Sequence, residues 1–469
     1  MVSSVRPESS VSSESMDLGQ MDADSLWHSM VQHKPFAEKP PKCMKQGVGC
    51  RVTDTHGIEY FDGLSGLWCV NIGYGRQELA EVAYQQMVDL AYFPLTSMSH
   101  EPGIRLAHKL LELLGYEGKV FFSTSGSEAN ETAFKIARQY HAQTKPAGSG
   151  PRYKIISRYR GYHGHTMGAL SATAQAERKL KYEPLVPGFL HVSPPYYYRF
   201  GEGQPEEVYN AACLRELEHT IAYEGAESVA AVIVEPIISG GGVIVPTEGY
   251  LRGVREICDR TGILLIYDEV VNGFGRTGKM FGHHHWGVEP DIITFAKGLS
   301  SGYMPLSATV VKQHIFEAFL DEPGSDSHFR HITTYGGSPV CTAVSLKSIE
   351  ILERENLCDR AAETGAYLME RLQKLYDHPN VGDVRGRGLL LGVELVKDKA
   401  SKVPLESGAI ATIPQHCMSK QVIIGRNTNT IPGFTNVLIL APPLVMTRED
   451  ADLIADTLQE AIFALPQVG

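Results

Sequence analysis

Short apolar runs, each followed by a longer stretch with helical spacing, constrain the fold of this chain more than any other feature. Residues 119–123, 154–157, 230–235, 263–268 and 291–295 are strand-sized and nearly all apolar, the pattern of strands buried on both faces of a parallel sheet. Within 128–140, Ala129, Thr132, Ala133, Ile136, Ala137 and Tyr140 fall on one helical stripe. Alternating strand and helix units predict an α/β fold on a mostly parallel sheet. At 469 residues the chain outgrows a single core, so a large domain and a smaller one are expected.

The divisions follow composition. Residues 1–20 are serine-rich, lack the apolar core of a secretory signal, and are expected to form a flexible tail. Residues 21–75 are expected to join the small domain, 76–338 to form the large one, and 339–469 to complete the small α+β one. Glycine and proline mark 145–151 and 196–205 as surface loops. After Pro339 the spacing predicts a long helix through Glu355, then a hairpin or strand over 385–395. There is no repeat of fixed period.

Charge and cysteines exclude several classes. The net charge of -11 is spread along the chain, with no basic run that would neutralise a phosphate backbone, so nucleic acid is not an expected partner. The apolar runs are too short for a membrane span. Eight cysteines lie scattered without a C-x-x-C pair, which fits a reducing cytoplasm. Three consecutive residues, His283, His284 and His285, cannot all converge on one metal ion from a regular element.

Chemistry is expected at the carboxyl ends of the strands, where open α/β sheets bind ligands. The run Ile263-Leu-Leu-Ile-Tyr-Asp268 ends in a carboxylate, whose pKa desolvation would raise unless a cation faces it. Another run, Asp291-Ile-Ile-Thr-Phe-Ala-Lys297, leads into a lysine. A desolvated lysine has a lowered pKa and becomes a nucleophile that forms a Schiff base with a carbonyl. Pyridoxal phosphate satisfies both residues, its aldehyde taking the lysine and its ring nitrogen kept protonated by the aspartate. A home for the phosphate is Ser123-Thr-Ser125-Gly126-Ser127, where a strand turns into a helix with free N–H groups; helix capping alone would explain those residues equally well.

Together these segments resemble the class III aminotransferases, the ω-aminotransferase branch of the aspartate-aminotransferase-like fold (fold type I). The resemblance runs from about Trp27 through Phe61-Asp-Gly63, Ser125-Gly-Ser-Glu-Ala-Asn130, Tyr162-His-Gly164, Glu235-Pro, Asp268-Glu-Val-Val-Asn-Gly-Phe-Gly-Arg-Thr-Gly278, Lys297-Gly and Thr334-Tyr-Gly-Gly337. It implies that Lys297 is the Schiff-base lysine and proton shuttle, and that Asp268 pairs with the pyridine nitrogen. Val270 would pack beneath the ring and Tyr162 on its other face. Ser125, Gly126 and Ser127 would hold the phosphate, His163 and Glu235 would lie near the coenzyme, and Thr334 would reach a phosphate in the neighbouring subunit. A homodimer with shared sites is therefore implied, with pairing of dimers into tetramers left open. Glu235 can also be read as a turn cap, Thr334 as a surface turn residue, and Arg385-Gly-Arg387-Gly as a positioned turn.

The same resemblance addresses substrates. A transaminase accepts an amine without an α-carboxylate and then a keto acid that has one. Arg426, before Val437-Leu-Ile-Leu-Ala-Pro-Pro443, lies close to where pyruvate-using ω-aminotransferases carry an arginine that swings toward a carboxylate. Leu67, Trp68 and Phe93 match positions that line a hydrophobic pocket, and Tyr162 borders it. The expected reaction moves an amino group from a primary amine or ω-amino acid to pyruvate in two half-reactions, with a preference for S-amines. The alternatives are an aminomutase or other pyridoxal-phosphate enzyme on the same scaffold, and a noncatalytic binding protein. A nicotinamide dehydrogenase lacks support, because no G-x-G-x-x-G opens a helix after the first strand.

Overall fold

The computed structural model describes residues 17–146, 150–201, 203–427 and 433–465. Seven strands form the central sheet: β1 (Gly118–Ser123), β2 (Lys154–Arg158), β3 (Phe189–Val192), β4 (Val229–Val234), β5 (Leu264–Asp268), β6 (Ile292–Phe295) and β7 (Ser307–Lys312), in the order β1-β7-β6-β5-β4-β2-β3. The pairs β2–β3, β2–β4, β4–β5 and β5–β6 are parallel, while β7 runs antiparallel to both β6 and β1. All residues of β4, β5 and β6 are buried, as expected of Val- and Ile-rich strands covered on both faces. The five apolar runs of the sequence supply β1, β2, β4, β5 and β6. The other two strands were not anticipated: β3 is an edge strand containing His191, and β7 opens on Ser307-Ala308-Thr309, so neither reads as a continuous apolar run.

Two smaller sheets flank the centre. Strands Met44–Val48, Arg51–Asp54 and Glu59–Asp62 are joined by Val422–Ile423, which pairs in parallel with Phe61 and Asp62. Strands Val381–Arg387, Leu390–Leu395, Val437–Leu440 and Gly425–Arg426 form an antiparallel sheet. The first two make the hairpin expected over 385–395, and the long helix after Pro339 runs over Pro339–Arg354.

Two local expectations change. Residues 1–16 lie outside the described part, but the end of the expected tail is helical: Asp17 accepts from Gly19 N at 3.0 Å and caps Leu18–Ser25. Within the expected loop over 196–205, Tyr197–Phe200 forms a helical turn. No helix among the described residues is long and apolar enough to cross a membrane.

Because β1 and β6 both run opposite to β7, the carboxyl ends of β1, β2, β4, β5 and β6 share one edge of the sheet. Helix Gly126–Thr144 starts at that edge directly after β1. Its cap is reciprocal, the Ser125 hydroxyl accepting from Glu128 N and the Glu128 carboxylate from Ser125 N. Its buried side includes Ala129, Ala133, Ile136 and Ala137, the stripe expected from the spacing.

Candidate active site

A cavity of about 360 Å³ opens at this edge. Its floor holds Lys297, Asp268, Val270 and Glu235, and the start of helix Gly126–Thr144 adds Ser125, Gly126 and Ser127. Tyr162, His163, Leu67 and Trp68 complete the expected residues that line it. Phe93, Thr334 and Arg426 do not line it.

Asp268 ends β5 and is 3% exposed. Its Oδ2 accepts from Asn130 Nδ2 at 2.8 Å and from His163 Nδ1 at 2.9 Å, while Oδ1 accepts from Val270 N at 3.1 Å. Each carboxylate oxygen offers about two lone-pair positions, so Oδ2 is filled and Oδ1 retains one for a donor in the cavity. Asn130 is fixed in turn: Nδ2 also donates to the His163 carbonyl at 2.7 Å, and Oδ1 accepts from Thr294 Oγ1 at 2.8 Å. Asn130 was not singled out from the sequence. Its place one helical turn after Gly126 was a usable signal, because residues four apart share a helix face.

Lys297 follows β6 with φ of 44°, the left-handed region that non-glycine residues seldom occupy and that clusters at functional sites. Burial holds its amine below the ordinary lysine value, opposed by Asp268, Cys69 and Glu235. The next residue must be small, because a Cβ on Gly298 would lie 2.5 Å from Asn71 Nδ2. Glu235 follows β4, the strand beyond β5, and is 4% exposed. Burial pushes its carboxyl up, an effect opposed by His163 and by N–H bonds from Ser239 at 2.9 Å and Tyr162 at 3.1 Å.

An anion has a prepared seat. The N–H groups of Gly126 and Ser127, the first two of their helix, take no acceptor among the described residues, and the helix dipole favours negative charge there. A Cβ on Gly126 would lie 3.0 Å from both methyl groups of Val270, so glycine keeps the seat and the floor in register. The Ser127 hydroxyl faces His165, 3.0 Å from Nδ1, and accepts from His165 N at 3.0 Å.

The remaining expected residues sit elsewhere. Arg426 pairs with Leu438 in the antiparallel sheet, and its Nη1 is 3.5 Å from the Ser407 carbonyl. Strand alternation explains this direction: neighbouring Gly425 faces Leu64, so Arg426 points to the opposite side. Phe93 and Thr334 lie on adjoining surface loops, tied by the Tyr92 hydroxyl donating to the Thr334 carbonyl at 2.8 Å. Thr334 lines a separate cavity of about 380 Å³ with Leu95 and His331. Conversely, Arg178 and Met30 line the main cavity without having been expected. His283 forms a buried pair with Glu269, Nδ1 to Oε1 2.9 Å. Arg385 joins Asp383 and Glu394 in an ion-pair network away from the cavity.

The arrangement suits pyridoxal phosphate: a depressed lysine amine for its aldehyde, a buried carboxylate with a spare lone pair for its ring N–H, and a helix N-terminus for its phosphate. Comparison with known proteins agrees. Residues 34–462 match the family described as aminotransferase class-III. The chain is 52% identical to the uncharacterized aminotransferase YhxA of Bacillus subtilis, covering 96% of this chain and 97% of that one. It is 41% identical to the taurine–pyruvate aminotransferase of Bilophila wadsworthia, covering 96% and 98%. The solved (S)-enantioselective omega-transaminase from Thermomicrobium roseum superposes with a TM-score of 0.89 at 40% identity, covering 95% of this chain and 98% of that one.

Proposed function

The chain belongs to the class III aminotransferases, which use pyridoxal phosphate, and we propose that it moves the amino group of a primary amine or ω-amino acid to pyruvate by a ping-pong mechanism. The observation that carries this reading is the meeting of Lys297, Asp268 and the Gly126–Ser127 seat in one cavity. Relatives named for taurine, pyruvate and omega-transamination support the substrate class, and the S-selective relative supports a preference for S-amines.

Bound pyridoxal phosphate supplies an aldehyde for Lys297 and a protonated ring that withdraws electrons from the substrate carbon. Asp268 holds the ring proton through Oδ1, and Asn130 and His163 keep its carboxylate aimed. Gly126 and Ser127 bind the phosphate through their N–H groups, with Ser125 fixing the turn. Val270 and Tyr162 enclose the ring faces. Lys297 Nζ, free once the donor amine takes its place, would move the proton from the amine-bearing carbon to the coenzyme in the first half-reaction and, in the second, from the coenzyme to the carbon of the keto acid. Burial, which lowers the Lys297 pKa, favours the unprotonated form that accepts the proton. Leu67 and Trp68 line the cavity and set the room for the donor, with Arg426 assigned to the keto-acid carboxylate through a swing that this conformation does not make.

Thr334 is assigned to the phosphate of the neighbouring subunit in a homodimer, with Phe93 bordering that subunit's pocket. Exposed apolar residues of the adjoining helix and loop, among them Tyr84, Met87, Val88 and Met98, support such an interface. Residues 21–75 join 339–469 as the small domain, a reading supported by the sheet they share. All eight cysteines are free, which supports a cytoplasmic location.

The test is a half-reaction. Donor added without keto acid should yield one equivalent of carbonyl product per site and stop, and pyruvate should then release alanine. Steady-state double-reciprocal plots should be parallel. Intersecting lines would reject ping-pong exchange, and continued turnover of the donor without pyruvate would indicate an aminomutase.

A further inference from the structure

Arg178 is the one cation besides Lys297 that lines the cavity among the described lysines and arginines. It sits in the short turn Ala176–Lys179, with its guanidinium 4.7 Å from the centre of the Tyr162 ring. Its Nε donates to Gln175 Oε1 at 2.6 Å, and Nη1 lies 3.1 Å from Met30 Sδ. Gln175 is fully buried and itself anchored, donating to the Arg160 carbonyl at 2.9 Å. One edge of the fork is thus held rigidly, while the other faces a thioether, a weak acceptor. No carboxylate pairs with Arg178 among the described residues, although it is half-buried and burial lowers its pKa. A desolvated guanidinium without a counter-ion is costly unless a ligand anion completes it.

We propose that Arg178 is the substrate-binding residue that holds the distal acidic group, carboxylate or sulfonate, of an ω-amino acid donor while the amine lies toward Lys297. Nη1 exchanges the Met30 sulfur for an oxygen of the anion, and Nη2 supplies the second, parallel bond of a bidentate pair. Gln175 sets the plane of the fork and Tyr162 supports it from one face. An uncharged amine forgoes this bond and leaves Arg178 on Met30. The cavity therefore ranks donors by their far end, and Arg178 reads the acid within the ω-amine reading given above.

The test compares holoenzyme of the wild type, Arg178→Gln and Arg178→Lys with β-alanine, taurine and 1-aminopropane. Loss of a charge-assisted bidentate pair should lower the ratio of kcat/KM for β-alanine over 1-aminopropane by roughly 10- to 100-fold in Arg178→Gln, mostly through KM. Arg178→Lys should recover part of that ratio, and the taurine arm shows whether sulfonate is read as well as carboxylate. Inhibition by propionate and ethanesulfonate, which carry no amine, should weaken in parallel. An unchanged ratio with unchanged inhibition would overturn the assignment. If Arg178→Gln does not load coenzyme, the Arg178→Lys ratio and inhibition decide. If no amine reacts with wild-type holoenzyme, the proposed reaction fails, while inhibitor binding still tests the anion site.

Discussion

At the floor of the cavity, Asp268 is 3% exposed and takes hydrogen bonds from Asn130, His163 and Val270. At the rim, Arg178 is half-buried and, among the described residues, has an amide oxygen, a thioether sulfur and the Tyr162 ring beside it but no carboxylate. The floor is fully assembled before any ligand arrives, as a group that is always the same coenzyme permits. The rim leaves its strongest donor unsatisfied, as substrates with different far ends require. Substitutions on the floor should therefore lower every donor alike, whereas those at the rim should reorder donors.

The largest effect tests the floor. Asp268→Asn removes the carboxylate charge while keeping the shape, and kcat/KM should fall by about 100- to 1000-fold for charged and uncharged amines together. A loss confined to one donor class would break the contrast. Gly126→Ala comes next, because the added Cβ meets Val270 at 3.0 Å. Coenzyme affinity, measured by titrating apoenzyme, should weaken by about tenfold, and an unchanged affinity would show that Val270 yields. At the rim, Trp68→Ala opens the wall, and the ratio of kcat/KM for 1-phenylethylamine over alanine should rise by roughly fivefold. Equal changes for both donors would place Trp68 with the floor.

The smallest effect on the reaction concerns the scaffold behind the floor. His141, on helix Gly126–Thr144, donates from Nε2 to the Ala230 carbonyl at 2.9 Å, and burial lowers its pKa to about 4. A histidine depressed in the fold stabilises it above its unfolded pKa, and that stability is lost as pH falls toward the folded value. From about pH 6.5 down to pH 5 this group should cost about 2 kcal/mol of unfolding free energy. Denaturant melts at pH 7 and pH 5 would measure it, and His141→Gln should reduce the difference. An undiminished difference would assign the acid sensitivity to other groups.

The contrast also explains what was legible in the sequence. Asp268 and Lys297 could be placed because each ends a run of apolar residues, and the end of a buried strand fixes where the next side chain emerges. The turn at Ser125–Ser127 was legible for the same reason. Strands β3 and β7 were not, since an edge strand and an antiparallel return carry weaker apolar patterns. Arg426 lies in a two-residue strand whose side-chain direction depends on pairing parity, which spacing alone does not define. Arg178 was silent because its neighbours in space, Met30 and Tyr162, lie far from it in sequence and approach through loops.

The most direct test of the central claim is chemical. Holoenzyme reduced with borohydride, digested and sequenced by mass spectrometry should carry the coenzyme on the peptide containing Lys297, with the visible absorption band lost on reduction and absent from Lys297→Ala. Coenzyme fixed to another lysine, or fixed equally in Lys297→Ala, would contradict the account.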